Sequence, residues 1–132
     1  MIIRLGGVTL NPSMNWSDRF QSSQVAQTVN RTVGGRAIVF ATPLKAGRKI
    51  TLESTQDNGW IDYPTVQVLL GMAEIVGGVF LFECGDENGY IEQFNVVFRH
   101  NEPPALELAP HVHRPSHEST DVMYGKIKLL TI

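Results

Sequence analysis

The sequence predicts a mainly β, α+β protein: a β-sandwich or β-barrel-like body with one short amphipathic helix, about residues 64–76, packed on the sheet. Three observations predict it. Runs such as Lys49-Ile50-Thr51-Leu52-Glu53 alternate polar and apolar residues, the period of a half-buried strand. A single stretch, opened by Pro64, instead repeats apolar residues at helical spacing. Asn11-Pro12-Ser13, Gly34-Gly35 and Asp57-Asn58-Gly59 then divide the chain into short pieces, as turns between strands do.

The elements follow in order. Ile2 to Leu10 reads as a first strand, with Gly6-Gly7 as a bulge or bend. Asn11-Pro12-Ser13 turns the chain into Met14–Gln24, a polar loop anchored to the body by Trp16 and Phe20. Val25–Val33 and Arg36–Leu44 make a hairpin across Gly34-Gly35, and Pro43 marks a strand end or an edge. Arg48–Ser54 is a half-buried strand, after which Trp60 and Ile61 re-enter the core. In the helix, Val66, Leu69, Leu70, Ala73 and Val76 form the apolar stripe, and Gly77-Gly78 stops it. Gly71 lies mid-helix, where it costs about 1 kcal/mol relative to alanine, so a close helix–sheet approach is expected there. Val79–Cys84 and Tyr90–His100 form the clearest hairpin, around Gly85–Gly89. Asn101–Asp121 holds four of the seven prolines and three of the four histidines, and reads as an excursion with at most one short strand. Val122–Ile132 closes the body as a strand paired inside a sheet.

A length of 132 residues with 42% hydrophobic and 18% charged residues suits one β-rich domain over 1–132, with long loops at about 11–24 and 101–121. The net charge of −2 argues against a nucleic-acid binder, whose affinity rests on neutralising phosphates. Lysines and arginines read as scattered, with no basic run interleaved with aromatics. The N-terminus lacks the pattern of a signal peptide, and no apolar stretch approaches the ~20 residues that span a bilayer. A soluble product made in the cytoplasm is expected. Cys84 stands alone inside an apolar run and reads as a buried structural residue.

One cluster offers chemistry. His111, His113, His117 and Glu118 lie close together, and on a strand His111 and His113 would point the same way, as paired metal ligands do. Their HxHx4E spacing resembles the first metal motif of cupin barrels, although Ala105 stands where that motif opens with glycine. The expected role is a polar, histidine-rich loop, with a small cupin-like metal enzyme as the alternative. No glycine-flanked nucleophile, phosphate loop or calcium loop is present, and the expectation is no catalytic residue, no cofactor and no enzyme. A further alternative is a carbohydrate- or protein-binding β module, for which Trp16 is the candidate aromatic.

The stretch Ile50–His100, with its strand ITLES, the GWI re-entry, the helix VQVLLGMAE and the strand VFLFE, is followed by VVFRHNEPPALEL and YGKIKLLTI. This order resembles small tail-tip proteins of long-tailed bacteriophages, with distal tail proteins as the nearest family. The resemblance covers about two-thirds of the chain and leaves Met1–Arg36 aside. It implies a structural virion protein, assembled in the host cytoplasm and located in the tail. Such a protein forms a homo-oligomeric ring, hexamer favoured, that connects the tail tube to the tip or baseplate. Its partners would be copies of itself, the tail tube, the tail hub and the tape measure. The expected contact residues are Trp16, Phe20, Pro103, Pro104, Leu106 and Leu108, from the two long loops.

Overall fold

The computed structural model describes residues 2–20, 25–44, 47–85, 89, 91–112, 115–116, 118 and 120–132. The protein is mainly β, with one short helix packed on a sheet. In chain order the elements are β1 (Ile2–Leu5), β2 (Val8–Leu10), β3 (Asn15–Trp16), β4 (Val25–Arg31), β5 (Ala37–Pro43) and β6 (Lys49–Glu53). They continue with β7 (Ile61–Asp62), α1 (Tyr63–Ala73), β8 (Phe80–Gly85), β9 (Ile91–Phe98), β10 (Leu106–Pro110) and β11 (Val122–Thr131).

Nine strands make one antiparallel sheet in the order β2-β1-β8-β9-β11-β6-β3, with β10 and β7 also paired to β11. β11 is its spine. Lys126–Leu130 pairs with β6, Val122–Met123 with β7, Met123–Ile127 with β10 and Leu129–Thr131 with β9. The sheet curls over on itself. Trp16 of β3 meets Phe82 of β8 and Phe94 of β9 edge-on, at ring distances of 5.6 and 6.1 Å, although β11 and β6 separate β3 from β9 in the strand order. The arrangement is sandwich-like. Alternation sends Ile3 and Leu5, Ile50 and Leu52, and Ile127 and Leu129 inward, all nearly or fully buried.

Several boundaries differ from the sequence reading. Gly6 and Gly7 both take positive φ (57° and 85°), so the first expected strand is a hairpin, β1–β2, and not one bulged strand. Trp16 lies in a short strand and is buried, whereas Phe20 is 92% exposed and anchors nothing. Ile61 is buried as expected, but Trp60 is 38% exposed. Its indole N–H donates to the Gln56 carbonyl, and its ring edge faces solvent beside His111.

The helix starts as expected. Asp62 precedes it in extended backbone, and proline fills the first turn. It stops at Ala73, because the N–H of Ile75 bonds back only three residues to Met72 and the N–H of Gly78 bonds to Ile75. Val66 and Leu69 are buried, while Leu70 is half exposed and Val76 is fully exposed beyond the helix end. The close approach to the sheet occurs at Gly6, where a Cβ would stand 2.7 Å from the Met72 methyl. At Gly71 a Cβ would meet nothing within 4 Å, so the expected helix–sheet contact is absent there.

Two polar features lock the layers. Gly125, at φ 150°, donates its N–H to Ser54 Oγ and accepts the Ser54 N–H. A side chain at Gly125 would run into the Glu107 carbonyl, so the β10 backbone takes that place. Asp18 accepts the N–H and hydroxyl of Thr51, whose Oγ1 accepts from Arg99 Nη2 at 2.9 Å. Arg99 is buried, and its Nε lies 2.7 Å from Glu102 Oε2 as an ion pair without aligned N–H geometry. Lys49 reaches the other Glu102 oxygen at 2.8 Å.

Candidate assembly surface

The hairpin expected at Val25–Leu44 forms, but outside the core. β4 and β5 pair in full register, Val25 opposite Pro43 through Arg31 opposite Ala37, as a separate two-stranded sheet. The turn closes through Thr32. Its carbonyl accepts from Gly35, its N–H reaches Arg36, and its hydroxyl accepts the Arg36 N–H. Gly35 takes φ 84° there, which a side chain would strain.

Every residue from Val25 to Leu44 is exposed. Among the described residues the ribbon shares no ladder with another element and has no extended packing against one. It is nonetheless apolar. Residues directly opposite share a face, so Val25, Val29, Val39, Ala37, Ala41 and Pro43 lie on one side, with Gln27 and Arg31. Phe40 and Ile38 lie on the other side and are 61% and 42% exposed. An isolated hairpin is marginally stable at best in water, and among the described residues nothing covers either edge or either face of this one.

A second uncovered surface lies on α1. Pro64, Val68 and Gly71 recur at intervals of four and three, which places them along one side of the helix, and Ile75 follows just past its end beside Val97, Phe98 and His100. All four are exposed. The helix is therefore apolar on both sides, yet only the side bearing Val66 and Leu69 is covered.

Charge separates along the chain. All charged residues from Arg19 to Lys49 are basic: Arg19, Arg31, Arg36, Lys45, Arg48 and Lys49. From Ile50 to Phe98 there are eight acids and no Lys or Arg. The basic residues are thus not scattered, as they read when only basic runs were sought. The segregation emerges when both signs are read together, and it places +2 on the ribbon and carboxylates alone, Asp62 and Glu74, at the two ends of α1.

No family model, no curated protein and no solved structure matches the chain.

The other expected sites distribute as follows. Trp16 is 6% exposed, gripped by Phe82 and Phe94 and covered by the guanidinium of Arg48 at 4.9 Å, so it offers no platform to a ligand. Leu106 and Leu108 are half-buried on β10 and pack on the core. Pro103 and Pro104, joined by a cis peptide, are exposed. His111 closes β10, its N–H bonded to the Val122 carbonyl and its ring 5.0 Å from Trp60. Glu118 is exposed; its N–H donates to the Asp121 carboxylate and its carbonyl accepts the Asp121 N–H. His113 and His117 lie outside the described residues, and among the described residues no group of three metal-ligating side chains gathers.

Trp60 lines a cleft of about 390 Å³ with Asn11, Asp62 and Thr65. Sequence reasoning passed over it because Trp60 adjoins the buried Ile61. The signal was alternation itself, since neighbours on an extended chain face opposite ways.

Proposed function

We propose that the protein is a structural subunit that assembles with copies of itself into a ring, as the resemblance of its Ile50–His100 region to phage tail-tip proteins implies. The observation that carries this reading is the ribbon Val25–Leu44, exposed along its whole length although it bears Val25, Val29, Ile38, Val39 and Phe40. A soluble monomer has little use for such an element, because open apolar strands promote indiscriminate pairing. An assembling subunit uses it, since a neighbour covers the faces and edges that one chain leaves bare. In this reading the ring joins the tail tube to the tip, the partners are the tail tube, hub and tape measure, and a hexamer is the favoured closure.

Sedimentation velocity on the untagged full chain at high micromolar concentration, with negative-stain electron microscopy of the same sample, tests the proposal. Discrete closed oligomers are the expected result. A strict monomer throughout the concentration series refutes it.

A further inference from the structure

Building on the self-assembly reading, we infer that the ribbon β4–β5 of one copy seats across the outer side of helix α1 of a second copy, with Arg31 and Arg36 meeting that copy's acidic surface. Three observations lead there. The ribbon and the outer side of α1 are both apolar, and each is exposed on its own chain. Their charges are opposite: the ribbon carries Arg31 and Arg36 and no acid, whereas Asp62 and Glu74 flank the two ends of α1 in a stretch without any base. Complementary fields of this kind orient an encounter and select the partner.

The third observation is Gly71. A mid-helix glycine weakens the helix, and here no neighbour in its own chain requires the missing Cβ. Next to Val68 it leaves a low spot on the helix. The side of the ribbon centred on the facing pair Val29 and Val39 is flanked by Ala37 and Ala41 on one strand and by Arg31 and Gln27 on the other, so small aliphatic groups can enter that low spot while Arg31 stands at its margin. The two surfaces differ from each other, so one docking event leaves a free ribbon at one end and a free helix at the other. That is a heterologous contact, the kind that closes into rings.

Complementation between two defective chains tests this. One variant carries Val29→Glu and Val39→Glu on the ribbon; the other carries Val68→Glu and Ile75→Glu on the helix. All four positions are at least half exposed, so each variant is expected to keep the far-UV circular dichroism and urea midpoint of the wild type. Serine replaces glutamate at any position where it does not. Each variant alone is expected to sediment as a monomer. Mixed in equal amounts, they should form a one-to-one heterodimer and nothing larger, because the pair retains one intact ribbon and one intact helix side. If the wild type assembles but the helix variant still assembles alone, or the mixture stays monomeric, the inference is overturned while the ring proposal stands. A monomeric wild type overturns both.

Discussion

Trp16→Ala separates a core role from a surface role for a residue that sequence alone placed among the partner contacts. Truncating a buried tryptophan removes about 3–5 kcal/mol through lost burial and the cavity left behind. Two edge-on aromatic contacts, to Phe82 and Phe94, add roughly 0.5–1.5 kcal/mol each. The guanidinium of Arg48, 4.9 Å from the ring centre, adds about another 1 kcal/mol. One effect opposes these. The indole N–H is buried without a hydrogen-bond partner among the described residues, and removing such an orphan recovers about 1–3 kcal/mol. The net expectation is a loss of about 5 kcal/mol, a large share of the 5–15 kcal/mol typical of a folded domain. In thermal unfolding this corresponds to a fall on the order of 15–25 °C. Trp16→Phe keeps a ring against Phe82 and Phe94 and discards the unpaired N–H, so it should cost only about 1–2 kcal/mol. Urea unfolding followed by far-UV circular dichroism measures both. A Trp16→Ala loss below about 1.5 kcal/mol would show that the side chain is not the packing centre described above, since a surface truncation has that size.

Two further predictions concern the polar locks. Gly125→Ala should destabilise by about 3 kcal/mol or more, because the new methyl collides with the Glu107 backbone and φ 150° is strained for any side chain; a urea midpoint equal to that of wild type would contradict it. Glu102 is held below the ordinary carboxylate range by its hydrogen bond from Lys49, against the upward push of burial and with help from the positive charges of Arg99, Lys49 and Lys128. A carboxylate lowered in the folded state contributes stability that is present above its unfolded pKa of about 4.3 and is lost as pH falls through the lower folded value. Glu102→Gln should therefore flatten the acid side of a plot of melting temperature against pH; an unchanged acid limb would rule out this role.

Much of the body was legible in the residues. Alternation located β6 and β9, Gly34-Gly35 located the turn of the ribbon, and Pro64 located the start of the helix. What escaped was burial. Val25, Val29 and Phe40 are the residue types that fill β cores, and nothing local distinguishes a ribbon that packs at home from one that stands in solvent. Trp16 and Phe20 illustrate the same limit. Both are isolated aromatics in a polar segment, yet one is the hub of the inner layer and the other projects into water, because only tertiary register decides which lies over Phe82. Trp60 was misplaced for a different reason: the alternation that buries Ile61 turns its neighbour outward, and that sign was available. Charge segregation was likewise available, and appears only when acids and bases are tracked along the chain as one pattern.

The position of β11 has a kinetic consequence. β1–β2, β4–β5 and β8–β9 are hairpins or near-hairpins whose loops are short, so each closes at small entropic cost. Among the described residues the backbone ladders of the β9 and β6 halves of the sheet meet at β11, whose partner Leu52 at Ile127 lies 75 residues earlier in the chain. Contacts of such long range form late and slowly. The ribbon can thus be complete while the helix still lacks the sheet that supports it, so a newly made chain would display its exposed arm before its body has closed.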